Sequence, residues 1–247
     1  MGKFLITKNI FKIHIFYYVV AFICFITGHF KEFIIFSSII IIHELGHIVS
    51  AVFFKWNIEK VILLPFGGIT IFKECINKPL KQEFIIAIMG PIFQCLFYFI
   101  FKGNYLFNEF NQAILLFNLL PIFPLDGSKI INVVSNYFLP FKVSHLISIF
   151  ISILSVIIII SIGLRYQLNL FFLLIFFFLA IQIIKEIYQH RYYFNRFLLE
   201  RYLYDFHFQK KKEIKKVSQM KKDTRHIFKI NNQYYTEREI IRKMFDN

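Results

Sequence analysis

Hydrophobic positions in this chain come in long blocks rather than at the period of a soluble helix or strand. A helix crosses a bilayer core with roughly 20 apolar residues, within a range of about 17–25. Blocks of that kind occupy residues 13–30, 33–54, 84–101, 143–164 and 166–184. A shorter one at 110–125 is interrupted by Pro121 and Pro124. The block at 143–164 contains no Asp, Glu, Lys or Arg. This pattern predicts an all-α polytopic membrane protein with six transmembrane helices, the fourth of them broken. Residues 57–64 and 69–72 depart from it. They are β-branched runs around Pro65-Phe66-Gly67-Gly68, which predicts a short β-hairpin over 57–72.

Composition agrees with the blocks. Of 247 residues, 57% are hydrophobic and 35 are Phe, against about 45–50% apolar in a soluble domain. Six spans place both termini on one side. If that side is the cytoplasm, 26 of the 29 Lys and Arg are inside, and only Lys31, Lys102 and Arg165 are outside. Without the tail the split is still ten to three. The positive-inside rule therefore predicts an integral membrane protein with cytoplasmic termini and a hairpin on that side. The net charge of +14 does not imply a nucleic-acid partner, because the basic residues flank apolar blocks instead of forming one face. Membrane lipid is the partner it implies. Cys24, Cys75 and Cys95 suggest neither a disulfide framework nor a cysteine metal site. The apolar N-terminus lacks a small-residue cleavage signal and reads as a retained anchor. Residues 1–190 read as one six-span domain. Residues 191–247 form a basic cytoplasmic tail, either solvated near anionic lipid or folded as a small regulatory piece.

Charge inside a span needs a reason. His43-Glu44-Leu45-Gly46-His47 puts three ionisable residues into the second block. Residues four apart share a helix face, so His43 and His47 can present two imidazoles to one ion. Glu44 beside them is placed to take a proton from water. A buried carboxylate costs about 2.5–3.5 kcal/mol on insertion scales, and a divalent cation is the partner that offsets it. Catalytic zinc usually has three protein ligands. Asp126, at the inward end of the proline-broken fourth block, is the candidate third. Against it stands an ordinary Asp-Gly turn at the membrane surface. Backbone broken by two prolines is tolerated at that depth only where it is buried in protein or lines water.

Three further motifs carry a resemblance. Met89-Gly90-Pro91, Asn118-Leu119-Leu120-Pro121 and Pro124-Leu125-Asp126-Gly127 accompany the histidine motif as in the site-2 protease family of intramembrane zinc metalloproteases. Leu64 to Gly68, Pro79-Leu80-Lys81 and the aromatic run at 196–202 resemble its sporulation branch, whose members activate a mother-cell sigma factor. The resemblance covers roughly residues 10–205. It implies one zinc per chain held by His43, His47 and Asp126, with Glu44 as the catalytic general base of a His-Glu-x-x-His metalloendopeptidase. It implies that Asn118 positions substrate or the oxyanion, and that Gly67 and Gly68 contact the substrate strand. The substrate would be a membrane-associated sigma-factor precursor in the membrane around the forespore, and inhibitory membrane proteins would be partners. Two features depart from the family. Gln94 stands where many members have Asn, and the tail is too short for a complete CBS-type nucleotide-sensing domain.

A helical substrate must be extended before it can be cut, and strand addition to the hairpin would meet its backbone hydrogen bonds. Gly90 and Pro91 leave room or a kink beside the metal helix, or serve packing. A transporter or proton pathway is the competing class, but the two halves repeat no pair of broken helices. A substrate-binding relative without activity is a third reading. His14, His29, His145, His190, His207 and His226 are expected to be interfacial or solvated. Trp56 is expected to be an interface anchor.

Overall fold

A computed structural model describes residues 11–64, 67–73, 76–165, 170–230 and 232–245, without the side chains of 164 and 170–174. Pro65, Phe66 and Cys75, named above, lie outside the described residues. The chain is mostly helical and divides into two compact units: Met1–Glu74 with Ile85–Leu120, and Cys75–Phe84 with Pro121–Asn247.

In the first unit a strand β1 (Phe11–Ile13) leads into α1 (Ile15–Ile26), a helix of 12 residues with none buried. Gly28, at φ +80, turns the chain in a left-handed conformation that glycine adopts without strain. Helix α2 (Phe30–Phe53) follows, and buries Ile39, Ile40, His43, Glu44, His47 and Ala51 on one stripe. Its end is a Schellman turn: Trp56 N–H donates to Ala51 O at 2.8 Å and Lys55 N–H to Val52 O at 2.9 Å. Lys55 holds the left-handed position there, at φ 58. Trp56 consequently folds inward against Ala51 and Ile86, its ring edge-on to Phe72. It is 6% exposed, so the expected interface anchor is a core residue instead.

Strands β2 (Ile58–Leu64) and β3 (Gly67–Phe72) pair antiparallel, and β1 adds parallel to β2, giving the order β1-β2-β3. β3 is therefore an edge strand. Helix α3 (Leu80–Phe101) carries Pro91 inside it, and α4 (Tyr105–Asn118) packs on α2 around Ile39, Ile40, Phe107 and Ile114. Helix α4 stops at Asn118, before the two prolines.

The second unit contains α5 (Asp126–Phe138), α6 (Phe141–Arg165) and α7 (Leu170–Leu203). Beyond them the tail is folded. β4 (Lys210–Ile214) runs parallel to β5 (Thr224–Ile230), β6 (Gln233–Thr236) antiparallel to β5, and α8 (Glu237–Phe245) closes the piece. Its core of Ile214, Met220, Phe228 and Ile241 is continuous with Phe141, Phe197 and Leu198. With two three-stranded sheets among the described residues, the all-α class was too narrow. The tail strands escaped notice because lysines dominate β4 and only Ile214 in it is buried.

Among the described residues, three helices are long and apolar enough to cross a membrane: Phe30–Phe53, Leu80–Phe101 and Phe141–Gly163. Helices α1 and α4, in the expected first and fourth spans, have 12 and 14 residues. Two histidines expected at wet positions are buried. His145 bonds Glu186 and His190, and His226 bonds Glu237.

Candidate metal centre

Helix α2 brings His43, Glu44 and His47 together, one helical turn separating the two imidazoles. The three are 2%, 5% and 4% exposed, and their ligand atoms lie within 4.8 Å of one another. Each histidine uses its Nδ1 on a protein acceptor. His43 Nδ1 lies 2.9 Å from Gln94 Oε1, and His47 Nδ1 lies 2.7 Å from the carbonyl of Ile86. A carbonyl acceptor fixes the Nδ1–H tautomer, which leaves each Nε2 as a lone pair. These two lone pairs face each other across 3.2 Å. With both rings neutral, neither donates to the other, and the two lone pairs suit a shared cation. Tetrahedral zinc with Zn–N bonds of about 2.0–2.1 Å places two nitrogens about 3.3 Å apart. The donor set fits zinc.

Glycines make the close approach possible. A Cβ on Gly46 would fall on the carbonyl of Met89, and one on Gly90 would fall on the Nε2 atoms of His47 and His43. Helices α2 and α3 therefore touch backbone to backbone at the histidines. A Cβ on Gly68 would fall on the Glu44 carboxylate. One residue along the same face of β3 beyond it, Thr70 Oγ1 donates to Glu44 Oε2 at 2.7 Å. Gly67 faces Asn118, whose Oδ1 would lie 3.7 Å from a Cβ built there. Asn118 Nδ2 is buried with no hydrogen-bond partner among the described residues.

Six of the seven expected site residues thus lie in the first unit. Asp126 belongs to the second, where it begins α5, is 4% exposed and accepts from Lys129 Nζ at 2.8 Å. Sequence reasoning marked Gln94 only as a departure from the family pattern and did not name Thr70. Gln94 is fully buried and, besides holding His43, donates through Nε2 to Asn111 O at 2.7 Å. Its spacing of four from Gly90 was the available signal, since it puts both on one face of α3. Thr70 is two residues from Gly68, on the same face of a strand.

The family model for peptidase family M50 matches residues 31–110, from α2 into α4. Stage IV sporulation protein FB of Bacillus subtilis (strain 168) is 37% identical over 209 residues, 78% of this chain and 72% of the relative. The chain belongs to peptidase family M50. It is an integral membrane protein of the site-2 protease type and a zinc metalloprotease acting in intramembrane proteolysis. Zinc metalloprotease MJ0392 of Methanocaldococcus jannaschii is 30% identical over 116 residues, 41% of this peptidase and 33% of the relative. The solved Site-2 Protease from Methanocaldococcus jannaschii shares the fold, with a TM-score of 0.57 at 24% identity. That likeness covers 74% of this peptidase and 93% of the solved chain.

Proposed function

We propose that this peptidase cleaves membrane-associated protein substrates at a His-Glu-x-x-His centre binding one zinc per chain. His43, His47 and Asp126 would be its ligands and Glu44 its general base. The observation that carries the reading is the pair of Nε2 lone pairs 3.2 Å apart, with both Nδ1 atoms held by carbonyl oxygens. Zinc, when bound, supplies Lewis acidity that lowers the pKa of water toward about 7 and polarises a carbonyl.

The chain's own residues do the rest. Glu44, steadied by Thr70 at one oxygen, accepts a proton from the attacking water and returns it to the leaving amine. Asn118 Nδ2, a buried donor with nothing to bond among the described residues, donates to the scissile carbonyl as charge develops on its oxygen. Gly67 and Gly68 keep β3 bare beside Asn118 and Glu44, so an extended backbone can come close. The substrate adds to the edge strand β3, which supplies its lost helical hydrogen bonds.

Six spans with cytoplasmic termini remain our reading of the topology, with residues 1–190 as the protease domain and 191–247 as a cytoplasmic extension. Charge asymmetry supports it. The likeness to a sporulation protein supports a role in sporulation, with a sigma-factor precursor as substrate and inhibitory membrane proteins as regulators.

Coexpression with such a precursor tests the reading. Glu44→Gln should keep zinc and yield no shorter product, and Asp126→Asn should lower zinc content of the purified protein. Normal processing by the Glu44→Gln protein would overturn the catalytic assignment.

A further inference from the structure

A cavity of ≈ 690 Å³ opens in the second unit, between the start of α3, the last turn of α5 and the tail. Its lining includes Lys78, Lys81, Lys210, Lys221 and Lys222, with Asp223 as the one carboxylate among the described residues. That carboxylate is engaged, since Asp223 Oδ2 accepts the Leu80 N–H at 2.9 Å and so caps α3. Lys222 is likewise committed, to Glu83 at 2.5 Å. Lys221 Nζ leans on the carbonyl of Phe138. Among the described residues, Lys81, Lys210 and Lys221 thus gather positive charge around an open volume. Crowding is felt within it: burial first, then Lys212 and Lys210, hold the Lys221 ammonium below its ordinary range.

An anion would relieve that crowding, and the rim indicates which kind. Helix α5 presents Val134, Tyr137 and Phe138 on one face, and these are 41%, 44% and 73% exposed. Tyr137 lines the cavity, and Phe138 follows it on the outside. Helix α3, whose first residues form one wall, is among the three membrane-capable helices. Lysines inside, an aromatic hydroxyl at the edge and apolar side chains beyond are the arrangement expected at a membrane–water boundary.

We propose that this cavity is a headgroup site for an anionic phospholipid, its phosphate held by Lys81, Lys210 and Lys221 and its acyl chains lying along Val134 and Phe138. The phosphate ester is the recognised chemistry, and its source is the lipid. Three lysines can meet a phosphate's oxygens as point charges from several directions, which suits a headgroup better than one planar fork. The binding is electrostatic at the phosphate and hydrophobic at the rim. It should therefore prefer phosphatidylglycerol to phosphatidylcholine and weaken in high salt, which shortens the screening length to about 3 Å at 1 M.

The full chain, purified and placed in nanodiscs of mixed phosphatidylglycerol and phosphatidylcholine, provides the test. Co-purifying lipid is counted by native mass spectrometry. The wild-type protein should retain phosphatidylglycerol in preference. The triple variant Lys81→Gln, Lys210→Gln, Lys221→Gln should lose at least about tenfold of that preference. Replacing the same three by Arg should keep it, and so should Lys215→Gln, Lys216→Gln, Lys229→Gln, which removes equal charge elsewhere on the tail. Equal retention of the two lipids by the wild type overturns the proposal without reference to any variant. So does equal loss in the control triple, which would mean bulk charge rather than this cavity. Calorimetric binding of inorganic phosphate or ATP in pure phosphatidylcholine discs, with no lipid preference, would assign the lysines to a soluble phosphate and overturn the lipid source.

Discussion

His43 and His47 each give one ring nitrogen to a protein carbonyl, and that choice dictates where the other nitrogen looks. The Ile86 carbonyl cannot be mutated, but Gln94 can. Gln94→Leu removes the acceptor for His43 Nδ1 and strands the Asn111 carbonyl to which Gln94 Nε2 donates. Outer partners of metal-ligating histidines are typically worth about 10–100-fold in metal affinity. Zinc affinity of Gln94→Leu, measured by competition with a chelator, should fall within that range, and Gln94→Glu should retain most of it because the acceptor survives. Unchanged affinity in the Leu variant would mean that His43 is oriented by packing alone. The motif itself was legible in the sequence because four residues on a helix are a local geometry. Gln94 was not, since its contact with His43 spans 51 positions and depends on how α2 and α3 cross. Asn118 was read from resemblance, and its buried, partnerless Nδ2 gives that reading a physical motive.

At the scale of elements, the crossing of α2 and α3 decides whether two imidazoles can meet at all. Gly46 and Gly90 let the helices touch, and Gly90 has no room for even one methyl group. Gly90→Ala should therefore push His47 and His43 off their shared point and cost zinc, read as metal per chain by atomic absorption. Gly103→Ala is the comparison, because a Cβ there meets nothing within 4 Å. It should leave the metal content unchanged. Equal zinc in both variants would show that α3 yields without disturbing the site. Long apolar helices were readable at this scale from block length, and α2, α3 and α6 lie where the blocks do. The tail was not readable in the same way. β4 shows one buried side chain among five, and β5 alternates Thr224, His226 and Phe228 inward, so its apolar period is hidden by the two polar residues among them. Trp56 was misread for a related reason: its burial comes from a left-handed Lys55 closing the helix, which no hydropathy pattern announces.

At the scale of the whole molecule, the tail sets a buried charge cluster beside its apolar core. Arg201, buried to 3% exposure, stacks on Phe197 and Phe208 and donates to the carbonyls of Thr224 and Lys221, to Asn77 and to Glu237. Glu237 in turn accepts from the backbone and ring of His226. Burial pushes the Glu237 carboxyl up, but the His226 bonds and the Arg201 charge outweigh it and hold the group below its ordinary 4.5. Burial likewise keeps His226 below its ordinary 6.5, despite Glu237. Both shifts act in one direction with pH. A depressed histidine binds fewer protons folded than unfolded, so its contribution is complete above 6.5 and declines as pH falls below that value. The depressed carboxylate contributes above 4.5 and is lost below it. Stability of the tail should therefore fall in two stages on acidification, the first beginning near the histidine's ordinary value. Hydrogen exchange of the β5 and α8 amides, followed from pH 7.5 to about 4, should show protection declining over that range while α6 amides stay protected. His226→Gln should flatten the upper stage and shrink the lower one, because the ring bond that helps to depress Glu237 is lost while Arg201 and the backbone bond remain. Protection that is level from neutrality to the carboxylate range in the wild-type protein would mean that the Arg201–Glu237–His226 cluster is a passenger on the Phe197–Phe228 core, not what secures it.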